Sequence, residues 1–207
     1  MYRITGTQGI GGRLSIEYDL RAANLEKISY KRGSRLTKSI SGLEDQEIGL
    51  NFGLRQRRGF ADSIELNVIA PTGRVSGSPQ LGAGHAALEP DYQLGIARGR
   101  LLATVTTGAR VFVDGAAAQL RADIDIGFHM TGHIELAGTL FFVRTLVRHA
   151  PLPRADAGEQ YDLLRPGVRI RYRVNRLFKP YLAYENDIAG KAIHAGRRIT
   201  IGFTVDY

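Results

Sequence analysis

Residues 167–174, with the sequence GVRIRYRV, decide the fold because arginine alternates there with apolar residues. Successive side chains of a β-strand point to opposite faces, so Arg169, Arg171 and Arg173 share one face and the apolar residues share the other. One face of this strand is therefore strongly positive, and the other is hydrophobic.

Two kinds of structure produce such alternation. In a soluble sheet the apolar face packs on a core, whereas in a transmembrane barrel it contacts lipid and the polar face lines a lumen. The same pattern recurs along the chain, most clearly in residues 119–130, QLRADIDIGFHM. No long segment repeats its apolar residues with the 3.6-residue period of a helix. The sequence therefore predicts an all-β protein.

Turn-forming residues divide the chain into about twelve antiparallel strands, with ten as the alternative count. The predicted strands cover residues 2–8, 12–22, 26–38, 45–57, 62–70, 89–98, 100–113, 118–130, 133–146, 162–174, 179–187 and 197–207. We expect a single domain over residues 1–207, folded as a transmembrane up-and-down β-barrel.

The lengths of the connections favour the transmembrane interpretation. If the first strand starts at the periplasmic end, the longer connections all fall at the opposite end. The longer connections are 39–44, 71–88, 147–161 and 188–196, and the shorter ones are 23–26, 57–61, 97–100, 131–133 and 175–179. Short periplasmic turns and longer extracellular loops are typical of bacterial outer-membrane barrels.

Composition excludes several other classes of protein. The chain of 207 residues has no cysteine, which rules out disulfide bonds and thiolate metal sites. Its formal net charge of +8 suits anionic partners, but no nucleic-acid-binding motif is visible, so we do not expect nucleic acid as a partner. Apolar runs such as residues 135–143 fall far short of the roughly 20 residues of a transmembrane helix. The N-terminus has no apolar signal region, so we assume that a signal peptide has been removed.

The C-terminal strand carries a family resemblance. In residues 198–207, RITIGFTVDY, the side chains of Phe203, Val205 and Tyr207 share one face. This pattern resembles the membrane-assembly signal of Gram-negative outer-membrane β-barrels, which the barrel-assembly machinery reads. Residues 179–187, KPYLAYEND, are similar to the penultimate strand of many small porins. In size the chain is nearest to small monomeric twelve-stranded porins for acidic oligosaccharides, but it has no tryptophan and only 8% aromatic residues for its aromatic girdles.

The resemblance implies an outer-membrane channel for the passive diffusion of small hydrophilic, anionic solutes. Its implied partners are outer-membrane lipid and lipopolysaccharide, the barrel-assembly machinery and a small-molecule solute, with no cofactor and no metal. The predicted pore-lining residues are Arg169, Arg171, Arg173, Arg13, Arg21, Arg55, Arg121, Asp123, Asp125 and Glu17. Basic residues predicted at the outer rim, available to lipopolysaccharide phosphates, are Arg148, Arg154, Lys191, Arg197 and Arg198.

The lumenal arginines allow two interpretations that do not exclude each other. Either they form a positive path that concentrates anions, or they pair with lumenal acids and fill the barrel with salt bridges. The acids available for pairing are Glu17, Asp19, Glu65, Asp123, Asp125 and Glu185. An inward fold of the connections 71–88 or 147–161 is a further way to close the lumen.

Three other functions stay open at this point: an adaptor barrel in an envelope assembly, an outer-membrane enzyme, and a soluble ligand-binding β protein. The best catalytic arrangement is Asp123, Asp125 and His129, continued by His133 and Glu135 beyond a turn. Catalysis is not expected, because no serine stands beside a histidine in the manner of the barrel lipases.

Overall fold

The computed structural model describes residues 2–31, 34–76, 81–113, 117–148, 161–191 and 196–205. These residues form one 13-stranded sheet in which neighbouring strands are antiparallel. The strands are β1 (Tyr2–Gly11), β2 (Leu14–Lys31), β3 (Ser34–Leu43), β4 (Gln46–Arg57), β5 (Phe60–Ala70), β6 (Ala87–Arg98), β7 (Leu101–Phe112), β8 (Ala117–His129), β9 (Ile134–Arg148), β10 (Asp162–Tyr172), β11 (Phe178–Asn186), β12 (Ala189–Lys191) and β13 (Arg197–Val205).

Strands β3 and β12 do not widen the sheet, because each pairs with only one part of a longer strand. The first part of β2, from Leu14 to Asp19, pairs with β4, and its second part, from Ala22 to Lys31, pairs with β3. In the same way, β11 and β12 pair with successive parts of β10. The order across the sheet is β1-β2-β4-β5-β6-β7-β8-β9-β10-β11-β13, an up-and-down path of eleven strands. The predicted all-β up-and-down fold is confirmed, and this count lies between the two predicted values.

The turn predicted at residues 23–26 is wrong, because β2 continues through it. The chain reverses instead between Lys31 and Ser34, where the sequence contains a glycine. Asn24 is a turn former, but continuous pairing of β2 with β3 satisfies the backbone groups of both strands. The connection predicted at 39–44 lies mostly inside β3 for the same reason.

The two longest connections both lie at one end of the sheet, which we call the loop end. At the other end, the turn end, the connections cover residues 12–13, 58–59, 99–100, 130–133 and 173–177. At the loop end, residues 71–86 join β5 to β6, and residues 149–161 join β9 to β10. Gly59 and Gly99 have φ values of 75° and 61°, the left-handed conformation that two-residue hairpin turns favour. β1 begins at the loop end, opposite to the end assumed from the sequence.

Burial is inverted relative to a soluble protein. On β5, Glu65 and Asn67 are each 5% exposed, whereas Ile64 and Val68 are 49% and 51% exposed. Because the buried polar face also makes contacts between strands that are not neighbours, it encloses an interior. A polar interior inside an apolar outer surface is the arrangement that surrounding lipid requires. A small apolar cluster closes the loop end of β5–β8; it consists of Ile69, Ala87, Phe112 and Ala117.

Among the described residues, no helix is long and apolar enough to span a membrane.

Candidate functional site

A series of ion pairs crosses the interior near the loop end. Arg21 of β2 contacts Asp19, and its Nη2 lies 3.1 Å from Glu47 Oε2 of β4. The same carboxylate oxygen lies 3.3 Å from Nη2 of Arg110 on β7, although β5 and β6 separate the two strands in the sheet. Arg110 also contacts Glu89 of β6. Because Glu47 reaches Arg110 directly, the interior is narrow at this level.

The same network continues over β8 to β11. Arg121 Nη1 lies 2.9 Å from Glu89 Oε2, and its guanidinium carbon lies 5.2 Å from the centre of the Phe141 ring. Arg165 of β10 approaches that ring to 5.9 Å, and its Nε lies 2.5 Å from Asp187 Oδ1. Two arginines therefore flank one inward aromatic ring in cation–π geometry. We call the whole set the loop-end belt: Arg3, Asp19, Arg21, Glu47, Glu89, Arg110, Arg121, Phe141, Arg165 and Asp187.

An acidic wall lines the interior on β2 to β6, nearer the turn end. Asn51 Nδ2 donates to Glu17 Oε1 and to Gln93 Oε1, both at 3.1 Å. The Gln93 amide in turn donates to Glu65. Side-chain amides thus replace water as donors to these carboxylates. The acidic wall comprises Glu17, Glu65 and Asp91 with the amides of Asn51, Asn67 and Gln93.

Arg169 and Arg171 of residues 167–174 lie on the interior face of β10. Arg169 Nη2 is 2.6 Å from Asp125 Oδ2, and Arg171 Nη1 is 3.2 Å from Glu135 Oε1. Arg173 follows at the turn end, where its side chain is exposed and pairs with no carboxylate among the described residues. Two arginines of the ladder therefore belong to salt bridges, and the third remains available to a solute.

Cavities open in the interior at the turn end. One of about 190 Å³ is lined by the inward residues His129, Glu135, Arg171, Arg173 and Lys179. Its lining contains more basic than acidic groups, since Glu135 is the one carboxylate in it. We call it the basic cavity. A second, of about 300 Å³, has a mixed lining that includes the inward Ser63, Gln93, Thr104 and Thr106 and also Arg55 and Asp62. Polar solutes can thus occupy the turn end of the interior.

The predicted pore-lining residues lie in several different parts of the structure. Arg21 and Arg121 lie in the belt, Glu17 lies in the acidic wall, and Asp125 pairs with Arg169. Asp123 is exposed to the interior on β8, next to Asp125 on the same face. At the turn end Arg13 donates from Nη1 to the carbonyl oxygen of Leu54 at 2.8 Å.

The prediction that Arg55 faces the lumen is wrong. The register of β4 against β5 shifts between Gly53 and Arg55, so that Arg55 pairs with Asp62 on the face that carries Ile64. Its guanidinium contacts the Asp62 carboxylate, which also accepts a 2.8 Å hydrogen bond from the outward Tyr92 hydroxyl. A β-bulge therefore turns Arg55 to the outer surface.

The predicted membrane-assembly signal lies on the outer face of β13. Phe203 is 64% exposed and Val205 is 51% exposed, whereas Tyr207 lies outside the described residues. Among the predicted rim residues, Arg197 is exposed, but Arg198 shares a face with the inward Glu185 and lies 3.6 Å from it. Arg154 also falls outside the described residues, as does the side chain of Arg148.

Members of the predicted catalytic arrangement contact other residues in the structure. His129 Nδ1 lies 3.9 Å from Glu135 Oε2, but Asp125 is paired with Arg169. His133 Nδ1 lies 2.9 Å from the carbonyl oxygen of Arg173 in the adjacent turn. In the ranges that the structure describes, no group of three or more histidine, aspartate or glutamate residues is arranged to hold a metal ion.

Sequence reasoning missed several residues of the belt. Glu47 and Arg110 sit at inward positions of alternating strands, so the alternation alone could have placed them on the interior face. Their pairing across β5 and β6 depends on the curvature of the sheet, which the alternation does not give. Phe141 is an apolar residue at an inward position, and its neighbouring arginines come from the strands on either side.

Comparison with known proteins places the fold. No family model and no curated protein matches the chain. Among solved structures, the NanC porin superposes with a TM-score of 0.64 at 10% identity, over 99% of this chain and 92% of that one. An outer-membrane channel from Pseudomonas putida F1 superposes with a TM-score of 0.68 at 13% identity, over 97% of this chain and 79% of that one. The chain therefore shares its fold with these two structures.

Proposed function

We propose that the protein is an outer-membrane channel for the passive diffusion of small hydrophilic anions. One observation carries the proposal: a charged interior with polar cavities at the turn end lies inside an apolar outer surface. The fold shared with two channel proteins supports the same function. A localisation in the bacterial outer membrane is part of the proposal, and the many exposed apolar side chains support it because they suit contact with lipid.

Anion preference follows from charge that is left over after pairing. In the belt and the ladder most arginines face carboxylates, which cancels much of their field. The basic cavity is different, because Arg173 in its lining pairs with no carboxylate among the described residues. An anion that enters from the turn end gains from this excess in a partly desolvated space.

A non-conducting barrel that serves as an adaptor is the second candidate. The direct contact of Glu47 with Arg110 favours it, because this contact bridges the interior at the loop end. The two candidates differ in one property, which is the passage of ions through the isolated protein.

Planar-bilayer recording separates the candidates. The purified chain is refolded into detergent, inserted under a KCl gradient, and its single-channel steps and reversal potential are measured. We expect discrete steps with a reversal potential that indicates chloride preference. Stable insertion without steps would support the adaptor, and failure to insert with good behaviour in plain buffer would exclude both.

A pair of variants tests whether Arg173 is responsible for the preference for anions. Arg173→Gln removes charge from the lining of the basic cavity, and we expect it to move the reversal potential toward zero. Arg176→Gln removes an arginine from the exposed turn three positions further along, outside that lining, and serves as the matched control. Equal reversal potentials for the two variants would contradict the role given to Arg173.

Biogenesis is a further part of the proposal. The outward Phe203 and Val205 on the last strand support recognition by the barrel-assembly machinery, since an apolar face at this strand is what such a signal presents. Lipopolysaccharide is the proposed partner of exposed basic residues at the loop end, such as Arg197, through charge-assisted hydrogen bonds to phosphate.

A further inference from the structure

Exposed arginines gather at the turn end of β4 to β7, outside the lumen. These arginines come from two neighbouring hairpins, β4–β5 and β6–β7. Arg55, on the outer face of β4, belongs to the group. We call this group the turn-end arginine patch: Arg55, Arg57, Arg58, Arg98 and Arg100. Elsewhere at this end, the exposed arginines Arg13, Arg173 and Arg176 are divided among the other turns. The patch is therefore a local concentration of charge.

Backbone contacts hold the two hairpins of the patch together. The Ala97 N–H donates to the carbonyl oxygen of Gly59 at 2.9 Å, which joins the β4–β5 turn to the end of β6. A Cβ atom at Gly59 would lie 2.4 Å from the carbonyl oxygen of Ala97, so the approach needs glycine at that position. Arg58 and Arg100 occupy the two adjacent turns. The spacing of the arginines is thus set by the backbone.

Four of the five positive charges in the patch are not neutralised by a carboxylate of the described residues. Arg55 contacts Asp62 and lies 5.6 Å from the centre of the Phe60 ring, so it is held against the barrel wall. The other four arginines are exposed, and no carboxylate pairs with them among the described residues. A cluster of like charges without counter-charges is unfavourable unless an anion binds to it.

The outer surface directly beside the patch is apolar. Phe60 lies on the outer face of β5, and Ile96 and Leu101 of the adjacent hairpin are 41% and 43% exposed. Arginines at the border of a lipid-facing apolar band lie at the level of lipid headgroups. Guanidinium groups are suited to this position because they bind phosphate with two parallel hydrogen bonds.

We propose that the turn-end arginine patch binds the phosphate of anionic phospholipid headgroups in the leaflet at the turn end. A membrane lipid is the favoured occupant because the cationic patch and the apolar side chains are continuous, which matches a phosphate joined to acyl chains. An acidic protein would match the charge alone. The inference does not depend on conduction through the lumen.

Lipid retention in detergent tests the proposal without a bilayer recording. The refolded full chain is incubated in neutral detergent with equal amounts of phosphatidylglycerol and phosphatidylcholine, and bound lipids are counted by native mass spectrometry. The patch variant carries R57Q, R58Q, R98Q and R100Q. The control variant carries R35Q, K38Q, R74Q and R176Q, exposed positions that remove the same charge from the starting value of +8. Heat-modifiable migration on gels confirms that each variant is folded.

We expect the wild type and the control variant to retain phosphatidylglycerol in preference to phosphatidylcholine. The patch variant should lose bound phosphatidylglycerol by roughly tenfold or more, because each basic residue near an anionic surface contributes separately. Equal retention by the patch and control variants would overturn the proposal, and so would a wild type without preference between the lipids. Displacement of the lipid by soluble polyglutamate at equal charge concentration would assign the patch to an acidic protein and reject the lipid. The lipid-retention results remain interpretable even if the protein shows no conductance in planar bilayers, because the assay does not measure ion flow.

Discussion

Replacing Ile124 by aspartate should destabilise the protein in the membrane far more than changing its neighbour Asp123. Ile124 lies on the outer face of β8, five residues before His129, the last residue of that strand. A tilted strand rises about 2.5 Å per residue along the membrane normal, so Ile124 lies about 13 Å from the turn end. That depth is near the middle of an apolar band about 25 Å tall.

The expected cost follows from this depth. An aspartate near the midplane costs about 2 kcal/mol, somewhat less than a lysine or an arginine there. This lowers the folding equilibrium constant roughly thirtyfold. Ile170 lies two residues before Tyr172, the last residue of β10, so Ile170→Asp should cost about 1 kcal/mol or less because it is close to the interface. Asp123→Ala changes only the interior face and should cost about 0.5 kcal/mol or less.

The assay is reversible unfolding from lipid vesicles in denaturant, with the folded fraction followed by heat-modifiable migration on gels. Three free energies of unfolding are compared with the wild type under identical conditions. A loss for Asp123→Ala as large as that for Ile124→Asp would refute the assignment of faces. A larger loss for Ile170→Asp than for Ile124→Asp would refute the assignment of depth.

Other substitutions test the lumen and the last strand. Arg171→Ala should fold normally and weaken chloride preference in the reversal potential, because it removes a cation from the basic cavity; Arg55→Ala, on the outer surface, should leave the preference unchanged. Glu47→Gln keeps the size of the side chain but removes the charge that joins Arg21 to Arg110, so single-channel conductance should rise, and an unchanged conductance would show that the belt does not limit flow. Phe203→Ala should slow insertion into membranes that contain the barrel-assembly machinery and leave spontaneous refolding in detergent nearly unchanged; equal slowing in both would point to a general loss of packing.

The alternation of residue types was enough to predict the fold class and most of the face assignments. A side-chain period of two is fixed by strand geometry, so Arg169 and Ile170 had to lie on opposite faces wherever the strand paired. The short turns at Gly59 and Gly99 also followed from the sequence, because glycine-containing turns mark tight reversals.

Features that depend on pairing between distant residues were not predictable in this way. The bulge that turns Arg55 outward appears only when β4 is registered against β5, and nothing in the local alternation marks it. The length of β2 is set by its pairing with β3, which overrides the turn tendency of Asn24. The contact of Glu47 with Arg110 requires the curvature of the whole sheet.

The location of charge, and not its total, decides what the protein can select. The formal net charge of +8 suggests an anion channel, but the turn-end arginine patch holds much of that charge on the outer surface, where a solute in the lumen does not meet it. Inside, the belt pairs its arginines with Asp19, Glu47 and Glu89, so its field is largely local. The positive charge of the interior that is not compensated by carboxylates then lies at the basic cavity, around Arg173. Anion preference should therefore depend on a few residues at the turn end, and neutralising the patch outside the lumen should leave it unchanged.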